Sequence, residues 1–186
     1  MNFLKNILSK NIQGQKVAVL FIVTNLVYIL MVLVTIPKIM NFSNGIKVLD
    51  MLPFGYDFEY VNNLFLELGS NGRNFYLYKQ IPIDMIYPFL FGITYCLVLA
   101  YFLKKINKFD SPLIYLSLLP LIAAFFDYME NFGTINLLNN YPNISELEVK
   151  MNSSFTIIKS LTTTAFFIAL LIVLVFFAIK KIRSHH

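Results

Sequence analysis

Tryptophan is absent from this 186-residue chain, cysteine occurs once, and histidine occurs only as the terminal pair His185 and His186. The lone Cys96 excludes an intramolecular disulfide and a Cys-x-x-Cys redox centre, and a single thiol inside an apolar run behaves as a small hydrophobe. The two histidines read as a tag remnant and are set aside. Without them the chain has no imidazole, which excludes a His-ligated metal site, a Ser-His-Asp triad and a Cys-His pair. Charge is scarce as well, at 13% Asp, Glu, Lys and Arg. There is no Gly-rich phosphate loop, heptad zipper, internal repeat or Gly-x-x-x-Gly pair.

What the chain does have is apolar length. Hydrophobic residues make up 58% of it, with 19 Phe and 11 Tyr, far from the balance of a soluble domain. Segments 17–37, 81–103, 112–138 and 155–179 each reach the roughly 20 residues that a helix needs to cross a hydrocarbon core. The first is longer than a secretory h-region and no small-x-small cleavage pattern follows it, so it reads as a retained helix. The expected fold is all-α: a single polytopic membrane domain built as a four-helix transmembrane bundle.

Lysine positions orient it. Lys5, Lys10 and Lys16 precede the first span, Lys104, Lys105 and Lys108 fill the connection 104–111, and Lys180, Lys181 and Arg183 follow the fourth span in 180–186. By the positive-inside rule these regions and both termini face the cytoplasm, and the connections 38–80 and 139–154 lie outside. The expected location is a cell membrane, multi-pass, as in a bacterial inner or plasma membrane. The net charge of +5 requires no nucleic acid, and anionic membrane lipid is the ordinary partner.

Three further helical stretches are expected. In residues 1–16, Phe3, Leu4, Ile7, Leu8 and Ile12 recur at helical spacing opposite Lys5 and Lys10, the pattern of an amphipathic helix lying on the inner leaflet. In the loop 38–80, Asp57 suits an N-cap. Val61, Leu64, Phe65 and Leu68 then mark one apolar face of a helix over about 57–69, ending at Gly69 and lying flat over the outer end of the bundle. A second start follows at once, with Ser70 or Asn71 as cap of a helix that begins near Gly72 and Arg73 and runs towards the membrane, bent at Pro82 and Pro88.

Asp84, Asp127, Glu130 and Lys159 fall inside spanning segments, where each charge costs about 2.5–3.5 kcal/mol at the centre and is expected to face the bundle interior with a partner. Asp127, about 22 Å along its helix, shares a face with Glu130 and Asn131 through i, i+3, i+4 spacing. Asp84 and Lys159 enter from outside to a similar depth. Arg73, Tyr76 and Gln80 repeat at helical spacing above Asp84 and would close an outward pocket of three carboxylates opposed by two or three cations. No cofactor is evident, although Asp84, Asp127 and Glu130 offer oxygen ligands of the kind a divalent cation takes. The same charges also fit a purely structural ion-pair network that sets helix register.

Leu68-Gly69-x-x-Gly72-Arg73-x-x-Tyr76, then Asp84-x-x-x-Pro88, then Asp127-x-x-Glu130-Asn131 resembles a pattern in a family of small four-helix bacterial integral membrane proteins. The resemblance covers about residues 53–131. It implies that these residues belong together and brings no chemistry with it.

Three functions compete at this stage. The first is an outer-leaflet polar pocket binding a lipid headgroup, a cation or a small polar solute, with transport requiring a homo-oligomer or a membrane-protein partner because no inverted repeat is visible. The second is an intramembrane lipid-modifying enzyme using paired carboxylates, although neither a CDP-alcohol transferase Asp-x-x-Asp-Gly pattern nor a lipid phosphatase set is present. The third is an accessory or assembly protein whose loop helix docks a membrane-protein partner.

Overall fold

The computed structural model describes residues 2–183, with side chains from residue 5 onward. The terminal histidine pair and the side chains of Phe3 and Leu4 lie outside the described residues. Helices account for the regular structure, with no strand among the described residues. Four of the helical runs are long and apolar enough to cross a membrane: Gly14–Phe42, Phe58–Lys105, Pro112–Asn140 and Glu146–Arg183.

Six helices organise the chain. The first, α1 (Asn2–Asn11), folds back under the bundle: Leu8 and Ile12 are buried with Leu103 and Ala100 in one apolar core. Lys5 bonds the carboxylate of Asp110 at 3.0 Å. Leu8 and Ile12 of the apolar face are thus spent on the bundle, and Ile7 is exposed.

Next comes α2 (Gly14–Phe42), which contains a π-turn at Met31–Thr35. Pro37 explains the turn. It lacks an N–H and its ring crowds the carbonyl four residues back, so the helix widens rather than breaks. The segment before Pro82 does the same, with a π-turn at Tyr76–Gln80. The two widened turns meet, and the Thr35 hydroxyl bonds the buried Gln80 side chain across them. Lower down, Thr24 and Thr94 share a 2.7 Å hydrogen bond between α2 and the second span.

The loop helix, α3 (Phe58–Phe75), starts as expected: Asp57 caps it, accepting a bond from the Tyr60 N–H at 2.8 Å. Val61, Leu64, Phe65 and Leu68 are all buried. Its first run ends at Gly69, as expected. That residue takes φ 57°, ψ −176°, a conformation essentially reserved for glycine, and the chain kinks and resumes through Phe75, the π-turn and the short turn Ile81–Asp84. The second span proper is α4 (Tyr87–Lys105), so the loop expected over 38–80 is helical from Phe58 onward, over more than half its length, and continuous with the span.

The third span opens as a 3-10 turn at Pro112–Leu118 and becomes α5 (Leu119–Asn140) with Pro120 in its first turn, where a missing N–H is harmless. The fourth, α6 (Glu146–Arg183), runs 38 residues, about 57 Å. It begins nine residues before the apolar segment expected at 155–179, because Ser145 and Glu148 form a capping box: Glu148 accepts from the Ser145 N–H at 2.8 Å and the Glu148 N–H donates to the Ser145 hydroxyl at 3.3 Å.

Packing separates into two apolar cores. One lies at the lysine-bearing end, around Leu99, Leu103, Ile114 and Phe166. The other lies at the loop end, where Val61, Leu64 and Phe65 of α3 meet Ile39, Leu137 and Val149. Helix α5 packs along α6 and α4, and α2 packs on α4 and α3, but α2 and α6 do not pack along one another. A polar layer occupies the level between the cores.

Candidate functional site

Asp84 is held by a defect in its own helix. Pro88 stands four residues beyond it and has no N–H to give the Asp84 carbonyl. Helix α5 supplies the missing donors: the Asn131 Nδ2 donates to the Asp84 carbonyl at 3.2 Å and the Tyr128 hydroxyl to the Met85 carbonyl at 3.0 Å. Asn131 therefore serves the backbone, and is not turned into the pocket as its spacing had suggested. The bond locks Asp84 opposite Asp127, one turn back along α5.

Lys159 of α6 enters this layer from the other side. Its ammonium lies 3.2 Å from Asp127 and 3.7 Å from Asp50, and is in direct contact with Glu130. Glu130 is fully buried, and its other oxygen accepts a 2.8 Å bond from the Thr156 hydroxyl. Around it, the Asn152 Nδ2 bridges the Tyr56 hydroxyl at 2.9 Å and the Thr134 hydroxyl at 3.0 Å. Asn152 is buried there, although it heads an Asn-x-Ser sequon. Burial, reinforced by the Glu130 charge, pushes the loop phenol of Tyr56 well above its ordinary range.

Asp50 is the member that the spacing argument missed. It sits in a 3-10 turn, Leu49–Met51, within the long connection, where no helical period could align it with residues as distant in sequence as Asp84 and Lys159. Two contacts place it. The buried Tyr76 hydroxyl donates to its Oδ2 at 3.4 Å, and the loop is seated on α6 through the Tyr56 N–H, which donates to the Ser153 hydroxyl at 2.8 Å. Gly55 permits that seating: it has φ 87°, and a Cβ there would lie 2.5 Å from the Ser153 hydroxyl.

Oxygens of Asp50, Asp84 and Asp127 lie within 4.8 Å of one another. Together with Lys159 they line a cavity of about 560 Å³. Its remaining wall is largely apolar and comes from Tyr28, Met31, Ile36 and Met40 of α2 and from Phe91 of α4. Thr163 and Thr164 of α6 complete it. Thr162 bonds back to its own helix, to the Ile158 carbonyl at 2.8 Å.

Of the residues singled out from the sequence, Asp84, Asp127, Glu130 and Lys159 come together, Tyr76 supports them through Asp50, and Asn131 positions Asp84. Arg73 does not join them. Its guanidinium donates to the Phe65 carbonyl at 2.6 Å and stacks 4.7 Å from the Tyr141 ring centroid, so it closes the kink at Gly69, whose altered backbone leaves carbonyls of the preceding turn without helical donors. Gln80 is likewise used on Thr35. The cluster holds four carboxylates and one ammonium, a formal charge of three negatives with all groups ionised. No protein family, curated protein or solved structure matches the chain.

Proposed function

We propose that this is a multi-pass membrane protein that binds a positively charged ligand group in the acidic cavity between its two apolar cores, with both termini cytoplasmic and the cavity in the outer half of the membrane. Lysines at one end of the bundle support the orientation. The observation that carries the binding reading is Asp84. It is 3% exposed and lines the cavity. No hydrogen bond or ion pair among the described residues reaches its carboxylate; its one bond is made by the backbone carbonyl. A buried carboxylate in an apolar bundle is retained at high cost unless something pairs with it.

A structural network answers for Lys159, Asp127 and Glu130, but leaves Asp84 without a role. Catalysis by the paired carboxylates is the second reading; the adjacency of Asp84, whose carboxylate has no hydrogen-bond or ion-pair partner among the described residues, to the Lys159-bound Asp127 favours it, since such unlike environments separate an acid from a base.

Native mass spectrometry of protein released from nanodiscs tests the binding reading by comparing wild type with Asp84→Asn. Asp84 is the right target because neutralising it leaves every Lys159 contact intact. A cationic species held by wild type and absent from the variant is the expected result. Equal retention in the two proteins, or none in either, removes the binding reading.

A further inference from the structure

The cavity is larger than its charged end requires. Asp50, Asp84, Asp127 and Lys159 occupy one end, while Met31, Ile36 and Met40 of α2 and Phe91 of α4 form an extended apolar wall. Tyr28 and Tyr87 lie ring to ring at 5.6 Å, and Tyr87 and Phe91 at 5.7 Å, lining the floor with aromatic carbon. A volume of about 560 Å³ falls in the range of sites for small organic ligands, about 300–1,000 Å³. A bare ion at the carboxylates would leave the apolar part without contacts.

The cavity also has a side door. Its walls are α2 and α6, which do not pack along one another. Val32 and Pro37 on one lip and Thr164 on the other are exposed while also lining the cavity. Flanking residues on the outer faces, Leu33 and Val34 of α2 and Leu161 and Ile168 of α6, are exposed and apolar, so the gap between the helices faces the same solvent as those faces, the hydrocarbon of a bilayer. The chemistry the acidic end accepts is visible in Lys159 itself, a primary ammonium at 3.2 Å from Asp127 and 3.7 Å from Asp50.

We propose that the ligand is a cationic amphiphile, a long-chain amine or a lipid with an ammonium headgroup, which enters sideways between α2 and α6. Its ammonium sits among Asp50, Asp84 and Asp127, and its chain lies along Met31, Ile36 and Met40. This rests on the acidic-cavity reading above and adds the ligand's class and its route. Asp84 provides the charge not already engaged, and α2 provides the grease. The apolar lip and the buried carboxylates act on different parts of one molecule, so chain length and charge contribute separately to affinity.

The test is equilibrium binding to the full-length protein in phosphatidylglycerol nanodiscs, with dodecylamine, butylamine, ethylamine and Mn²⁺ as probes. Empty nanodiscs serve as the blank, and specific binding is the part lost in Asp84→Asn. Dodecylamine is expected to bind at least tenfold more tightly than butylamine, with ethylamine weaker still, and Ile36→Trp, which fills the apolar wall, is expected to lower dodecylamine affinity tenfold or more. The wild-type chain-length series decides alone if Ile36→Trp fails to fold. Specific amine binding that is independent of chain length overturns the amphiphile and leaves the acidic cavity standing. Specific binding of Mn²⁺ with none of any amine also overturns it, in favour of a metal site. No specific binding of any probe removes both readings.

Discussion

Replacing Lys159 with Met keeps the length and packing of the side chain and removes the one ammonium that the described residues bring to the polar layer. In the structure Lys159 is 15% exposed, 3.2 Å from Asp127 and 3.7 Å from Asp50, and it touches the fully buried Glu130. At an effective dielectric of about 20, a pair of unit charges at those distances attracts by roughly 5 kcal/mol, and desolvation of the ammonium offsets much of this. Removing one partner of such a set costs about 3–5 kcal/mol, because the remaining charges stay buried without compensation. Reversible unfolding in mixed micelles, read by far-UV circular dichroism, should therefore show a loss of that size in Lys159→Met. Adding Glu130→Gln, which keeps the Thr156 bond but removes one of the stranded charges, should return part of it. Two results would refute the reasoning: a Lys159→Met protein that unfolds at the wild-type midpoint, or a double variant less stable than the single one.

The carbonyl freed by Pro88 predicts that Asn131→Leu lowers stability by about 1–3 kcal/mol, the cost of an unsatisfied buried acceptor, and also weakens cationic-ligand retention because Asp84 loses its anchor; unchanged retention in a folded variant would separate the two roles. Arg73→Lys should cost about 0.5–1 kcal/mol through lost stacking on Tyr141 and weaker bonding to Phe65, while ligand retention stays at the wild-type level, because Arg73 lies outside the cavity.

Much of the fold was readable because its signals are local. Apolar runs of spanning length, the Asp57 cap and the Val61, Leu64, Phe65, Leu68 stripe each depend on residues within a few turns of one another, and each appears where the spacing put it. The boundaries were less readable where polar residues extend a helix beyond its apolar part: the capping box at Ser145 and Glu148 starts α6 before the hydrophobic pattern does. The kink at Gly69 shows the converse. Glycine there signals a helix end and Ser70 or Asn71 a new start, and both appear; what the local signals do not give is the widened turn at Tyr76–Gln80 and its tertiary contacts.

The candidate site divides along the same line. Asp127, Glu130 and Asn131 share a helix face by geometry alone, and charges within apolar segments announce that they need partners, so the carboxylate cluster and its lysine were visible from composition and period. The assignments that failed depend on which partner wins. Arg73 could reach either a carboxylate or the carbonyl and ring that surround the Gly69 kink, and only the folded chain sets the second closer. Asn131 has the right spacing for a pocket and the wrong neighbour, a carbonyl stripped of its donor by Pro88. Asp50 lies in a loop with no period at all, and its place among Lys159, Asp84 and Asp127 follows from Tyr76 and from the seating of the loop on Ser153. The amino-acid sequence by itself determines that four apolar helices form and that buried charge must lie between them, because desolvation and helical period act on neighbouring residues. Only the tertiary structure decides that the Asp84 carboxylate finds no partner among the described residues and that a cavity opens between α2 and α6, because both depend on which helices pack together.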